Sequence, residues 1–238
     1  MPRHYEFTVG LQDVDYTSKI RLVSLVDKIL AAAGMDADAL GFGVGDLNRN
    51  ACTWVLSRFA LRMSRMPRAG ERLVVSTWVS EYGRLLTTRN FTVADSDGRE
   101  IGAAVSAWVM LDVEKRTPVD LSGLEKAVRY TEPVPSPLDG PKRIRAMQMP
   151  VVRVHDVVYS DIDFNGHVGT MRYIEMMIDL LPWSVIENAE SLRFDVNFLH
   201  ETQAGKTISI GMAEADGCYR FGLRADMRDI CRAELEIM

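Results

Sequence analysis

The sequence predicts a tandem α+β protein, in which two consecutive copies of one layer each pack a long helix on a mostly antiparallel sheet. Three observations predict it. A proline-rich stretch divides the chain, short motifs recur in the same order on both sides of it, and each side passes from helical to strand periodicity. Five of the nine prolines fall between Pro118 and Pro141. Proline fixes φ and removes an amide donor, so this stretch reads as an extended connector. The expected division is 1–116, a connector over 117–149, and 150–238.

The repeated motifs imply duplication. Asp13-Val14-Asp15-Tyr16-Thr17-Ser18-Lys19-Ile20 aligns with Asp161-Ile162-Asp163-Phe164-Asn165-Gly166-His167-Val168 at an offset of 148. Ala69-Gly70-Glu71 aligns with Ala204-Gly205-Lys206 at 135, and Ala94-Asp95 with Ala225-Asp226 at 131. Each match is weak alone, and the shared order is what carries weight. Each copy opens with a short strand, near 5–11 and 151–158. A helix follows, with apolar positions at Ile20, Val23, Val26, Leu30 and Ala33 in the first copy, ended by Gly34. In the second copy they are Val168, Met171, Ile174, Met177, Ile178 and Leu181, ended near Pro182. Alternating segments such as Leu73–Val79, Ala103–Val109, Phe194–Phe198, Ile208–Met212 and Tyr219–Leu223 read as strands. Asp97-Gly98 and Asp216-Gly217 signal hairpin turns between them. Sheets from the two copies joined edge to edge would form one continuous sheet and hide exposed edges.

With 28 basic and 33 acidic residues the net charge is -5, which argues against a general nucleic-acid or membrane-surface binder. No apolar run is long enough to span a bilayer, and the N-terminus lacks the apolar stretch of a secretory signal. Cys52, Cys218 and Cys231 are odd in number and outside metal-ligand spacing, as expected of reduced thiols in a cytoplasmic protein.

Chemistry concentrates in Tyr159–Val168, where two carboxylates, a carboxamide and an imidazole meet a strand-to-helix junction. Free amides at a helix N-terminus can hold a developing oxyanion, and Gly166 and Val168 are the candidate donors. Histidine suits proton transfer at neutral pH. Three blander readings compete. Asp, Asn and Gly are frequent helix caps, and His167 could be a satisfied core residue. Asp161-x-Asp163-x-Asn165-Gly166 also fits the first six positions of a calcium loop, but the twelfth, which should be Glu, is Arg172. Comparison of the copies favours chemistry: Asn165, Gly166 and His167 become Thr17, Ser18 and Lys19, while both aspartates persist.

The motif Asp-x-Asp-x-Asn-x-His-Val, followed by Tyr173 and an apolar helix, resembles the acyl-acyl-carrier-protein (acyl-ACP) thioesterases of plant plastids and bacteria. Trp54–Arg58, Gly70-Glu71, Thr77–Ser80 and Ala107–Met110 are also similar to segments of that family, in the family's order. The resemblance implies a double hotdog fold, two helices on a continuous sheet. It implies hydrolysis of fatty acyl-ACP to free fatty acid, ending chain elongation, with no cofactor or metal. Its catalytic set falls on Asp163, Asn165, His167 and Glu201. Plant members often carry Cys after this Glu; here Thr202 stands there, so no cysteine nucleophile is available at that position. The partner implied is an acyl carrier protein bearing a 4'-phosphopantetheine thioester. Lys142-Arg143-Ile144-Arg145 and Arg62/Arg65/Arg68 are the basic clusters available to dock it, each also readable as solvated surface. The first copy would bind the acyl chain, with Val23, Val26, Leu30 and Met35 as candidate lining residues or plain core. Such a chain works as a monomer or a homodimer. A hotdog acyl-CoA thioesterase and a non-catalytic acyl-binding sensor are the competing functions.

Overall fold

A computed structural model of the chain describes residues 1–49, 51–123 and 131–238. They form two compact units, Met1–Pro141 and Lys142–Met238. In the first unit β1 (Arg3–Thr8), β2 (Cys52–Met63), β3 (Arg72–Tyr82), β4 (Thr87–Ala94) and β5 (Glu100–Asp112) pair antiparallel in the order β1-β3-β4-β5-β2. A two-residue β6 (Thr117–Pro118) pairs with the end of β5. The second unit repeats the plan with β7 (Val151–Asp156), β8 (Leu192–Phe198), β9 (Thr207–Ala215), β10 (Cys218–Ala225) and β11 (Arg228–Ile237), ordered β7-β9-β10-β11-β8. The order of the strands is the same in both units, as duplication requires. Asp216 and Gly217 both have positive φ, 52° and 73°, which is the tight hairpin the dipeptide signals.

The long helix of the first unit, α1 (Leu22–Ala39), packs on β1 and β3. It runs five residues beyond Gly34, which lies on its exposed side. Its buried stripe is Leu22, Leu25, Val26, Ile29, Ala32, Ala33 and Asp36, at the i, i+3, i+4 spacing of one helix face. The face is therefore rotated from the expected one: Val23 and Leu30 are half-buried and Met35 is exposed. Asp36 explains the rotation. It is a charged member of the buried stripe, and Arg89 on β4 meets it at 2.6 Å while Thr77 accepts from the same guanidinium at 3.3 Å. Arg3 and Tyr5 of β1 reach the other carboxylate oxygen at 3.3 Å each. A second short helix, α2 (Val44–Asn48), follows.

In the second unit α3 (Thr170–Ile178) buries Tyr173, Ile174, Met176 and Met177 and touches β9. It stops at Ile178, before Pro182, and a short α4 (Trp183–Asn188) follows. Among the described residues no helix is long and apolar enough to cross a membrane.

The connector expected over 117–149 divides between the units; its residues 124–130 lie outside the described residues. Thr131 bridges to Val79, the Trp78 indole donates to the Val134 carbonyl at 3.1 Å, and Leu138 joins a core cluster with Ala60, Ala103 and Val105. From Lys142 onward the chain is held by the second unit. Lys142 N–H donates to Asp195 at 2.9 Å, Ile144 N–H to Asn197 Oδ1 at 2.9 Å, and Asn197 Nδ2 returns a bond to the Lys142 carbonyl. Two buried side chains of β8 thus hold the backbone of Lys142–Ile144.

Breaking a buried ion pair by removing one partner leaves an uncompensated charge, at a cost of about 3–5 kcal/mol. Asp36→Ala should lose about that much in urea unfolding, while the double variant Asp36→Leu/Arg89→Met should recover most of it. Arg3→Ala, at a more exposed contact, should change stability by less than about 1 kcal/mol.

Candidate active site

The Asp-x-Asp segment folds into a tight turn whose main-chain bonds are the same in both units. In the second, Asp163 N–H donates to the His167 carbonyl at 2.8 Å and Gly166 N–H returns to the Asp163 carbonyl at 3.0 Å. In the first, Asp15 N–H donates to Lys19 at 2.8 Å and Ser18 N–H to Asp15 at 3.0 Å. The turn needs a left-handed residue; Gly166 supplies φ 78°, and Ser18 accepts φ 64° in the other copy. The chain then crosses a distant loop: Val168 N–H donates to the Thr202 carbonyl and Ile20 N–H to the Pro67 carbonyl, both at 2.8 Å. These equivalences match Thr202 with Pro67, and hence Glu201 with Met66.

That crossing brings Glu201 to His167, 34 residues away in sequence. His167 Nε2 lies 3.2 Å from Glu201 Oε1, with the imidazole mostly buried and the carboxylate half-exposed. The Gln203 amide nitrogen lies 3.3 Å from the same ring nitrogen. One nitrogen serves one partner at a time: protonated, Nε2 donates to Glu201, and deprotonated, its lone pair accepts from Gln203. The position can therefore bind in either proton state. In the first unit Lys19 and Met66, both buried, occupy the equivalent places.

Asp163 is half-buried, its Oδ1 accepting the Asn165 amide at 2.8 Å, and Asn165 is exposed. Asp163 also lines an open groove with Val157, Val158, Ile162 and Ala204, next to the exposed rings of Tyr159 and Phe164. The two expected oxyanion donors are corrected by the structure. Gly166 N–H is bonded to Asp163 and Val168 N–H to Thr202, and α3 begins only at Thr170. Both amides hold the turn together instead of facing a ligand.

The other aspartate has a different task. The Asp161 side chain is fully buried and accepts from His155 Nε2 at 2.7 Å, Val158 N–H at 2.8 Å, and Arg172 Nε and Nη2 at 3.0 Å each. The cation it binds is thus the Arg172 guanidinium, at the position where a calcium loop would need Glu. Burial pushes its carboxyl up, but bonds from His155, Val158 and Arg172 outweigh that and hold it below the usual carboxylate range. Beneath the site, burial pushes the Tyr173 hydroxyl up to about 12, with Thr202 near enough to oppose the shift. Neither the Tyr173 nor the Thr202 hydroxyl makes a well-formed hydrogen bond. Cys231 is fully buried, and burial raises its thiol far above neutrality. Of the basic clusters, Lys142 is already paired with Glu236 at 2.5 Å and Arg65 with Glu71 at 2.8 Å, while Arg143, Arg145, Arg62 and Arg68 are exposed.

Comparison with known proteins identifies the family. The model of the acyl-ACP thioesterase N-terminal domain matches residues 3–123, and that of the C-terminal domain residues 145–237. The chain belongs to the acyl-ACP thioesterase family. It is 33% identical to an acyl-ACP thioesterase from Bacteroides thetaiotaomicron, with a TM-score of 0.91 over 99% of this chain and 97% of that one. The 12:0-ACP thioesterase from Umbellularia californica shares the fold at 17% identity, with a TM-score of 0.85 over 99% of this chain and 96% of that one. The tandem hotdog architecture is therefore that of the family. A chloroplastic acyl-[acyl-carrier-protein] hydrolase from Cuphea viscosissima is 26% identical over 71% of this chain and 42% of its own length. The chain spans about two fifths of the length of such curated relatives.

A lowered carboxyl in the folded state gives stability that is full above the unfolded value of 3.8 and is lost as pH falls through the folded value. The stability of the parent should therefore drop from about pH 5 downward. Asp161→Asn should be less stable at pH 7 and show a flatter acid limb, measured by urea unfolding at stepped pH.

Proposed function

We propose that this chain hydrolyses the thioester of a fatty acyl group carried on the 4'-phosphopantetheine of acyl carrier protein, releasing free fatty acid and ending elongation. The observation that carries the reading is the His167–Glu201 pair at 3.2 Å, next to the Asp163 turn, in one unit only. The names of the relatives support the substrate class. A cofactor has no part in the scheme, since water supplies the nucleophile.

Asp163, or the His167–Glu201 pair, takes a proton from water as its oxygen attacks the thioester carbonyl. Glu201 stabilises the imidazolium that results. Asn165 offers the exposed carboxamide N–H donor that the committed Gly166 and Val168 amides do not. Collapse of the tetrahedral intermediate breaks the C–S bond, and the pantetheine sulfur leaves as the thiol with the proton that the base, Asp163 or His167, took from water. Direct attack by Asp163, giving an anhydride that water then opens, is the other route these residues allow. The three unbridged cysteines fit a reducing, cytoplasmic setting. On this reading the acyl chain lies on the first unit beside α1, with Val23, Val26 and Leu30 as candidate contacts; Val26 is fully buried, and exposed Met35 is the weakest of the four candidates.

The test is thiol release from acyl-ACP thioesters of graded chain length, with matching acyl-CoA thioesters alongside. Carrier thioesters should be turned over preferentially. Glu201→Gln should lower kcat by about 10²–10⁴, the range typical of acid–base groups. Faster turnover of the CoA thioesters would assign the chain to acyl-CoA substrates. Binding of acyl-ACP without thiol release would make it a sensor.

A further inference from the structure

Among the differences between the two copies of the turn is a part-buried contact that the scheme above does not use. Asp13, the counterpart of Asp161, accepts Gly10 N–H at 2.8 Å and Lys28 Nζ at 2.8 Å. Asp161 accepts Val158 N–H and Arg172 in the same manner, and it adds the imidazole of His155 at 2.7 Å. Sheet register identifies the position. Phe7 pairs with Leu73 on the edge of the first unit, and His155 pairs with Ile208 on the edge of the second. Leu73 and Ile208 are related by the same offset as Ala69 and Ala204, so His155 stands where the first unit has Phe7.

The first unit shows that the turn closes without an imidazole at this place. The main-chain carbonyls of Asp13 and Asp161 also tie the turn to the helix that follows, accepting Arg21 N–H and Gly169 N–H respectively, both at 2.9 Å. The extra bond is found only in the unit that pairs His167 with Glu201.

We propose that His155 is a positioning residue for hydrolysis: through its bond to Asp161 it fixes the turn that carries Asp163, Asn165 and His167. The inference rests on the hydrolytic reading above. A hydrogen bond to a buried carboxylate is charge-assisted and short, and it restrains more than a neutral one. Asp161 bonds strand end, turn and helix start together, and Asp163 lies two residues beyond it. Displacement of a reacting group by about 1 Å can cost about 10² in rate. Restraint of this turn is thus worth a measurable factor in kcat. Substrate contacts do not pass through His155, so KM should be spared.

The experiment compares His155→Phe, which installs the residue of the first unit, with His155→Gln, which keeps a neutral N–H donor. Each is measured for kcat and KM with acyl-ACP, and for the amide resonances of residues 161–169 by NMR. His155→Phe should lower kcat by about 10–100-fold with KM within about twofold of the parent, and move those resonances. His155→Gln should recover kcat to within about threefold and restore them. If His155→Phe does not fold, His155→Ala is measured with and without added imidazole, which should restore kcat. A kcat for the apolar variant within twofold of the parent, or equal losses in the apolar and Gln variants, would overturn the proposal. Should the parent itself release no thiol, the hydrolytic reading fails, and the resonances still decide whether His155 restrains the turn: unchanged positions in the apolar variant refute it.

Discussion

A buried carboxylate that must find its donors shapes both halves of this molecule. An ionised group withdrawn from water is costly unless it is hydrogen-bonded and paired. Asp161 meets that demand with a backbone amide, a guanidinium and an imidazole, and Asp13 with a backbone amide and an ammonium. Drawing these donors together bends the chain out of the edge strand, through a short turn and into the helix. Everything chemical in the second unit hangs on that bend. The two residues that follow Asp161 place Asp163 at the lip of a groove, and the turn it closes presents His167 to the loop that carries Glu201.

Duplication supplies an internal control. Strand order, turn hydrogen bonds and the crossing onto the distant loop recur in both units, so these features belong to the fold. What differs belongs to the task. Thr17, Lys19 and Met66 take the places of Asn165, His167 and Glu201, so the first unit carries no imidazole at its turn. Its resources go elsewhere: an 18-residue helix with a deep apolar face, closed at one end by the buried Asp36–Arg89 pair.

Much of this was legible in the sequence, for identifiable reasons. The Asp-x-Asp repeat showed the duplication because buried carboxylates tolerate little change of side chain. Period-two alternation located the strands, because each strand has one face in a core. The helix face of the first unit was misread because Asp36 belongs to the buried stripe, and its compensating Arg89 is 53 residues away. The oxyanion donors were misread for a similar reason: the acceptor that occupies Val168 N–H is the carbonyl of Thr202, on a remote loop. Glu201 entered through family resemblance, since nothing local in Leu199–Gln203 distinguishes it from a solvated strand-end carboxylate. His155 reads from the sequence as a structural histidine of the edge strand. Alignment of the edge strands sets it opposite Phe7, and an imidazole in place of a phenyl ring next to a repeated aspartate points to an added polar contact.

The account stands on the claim that turnover needs the His167–Glu201 pair, which the first unit lacks. Its most direct measurement is thiol release by the second unit rebuilt with the residues of the first, His167→Lys together with Glu201→Met, in the 238-residue chain. We expect circular dichroism and melting behaviour close to those of the parent, because the first unit carries these residues at the equivalent places of its turn and crossing loop, and a loss of turnover by at least about 10³-fold. A folded double variant that still released thiol within tenfold of the parent rate would contradict the account.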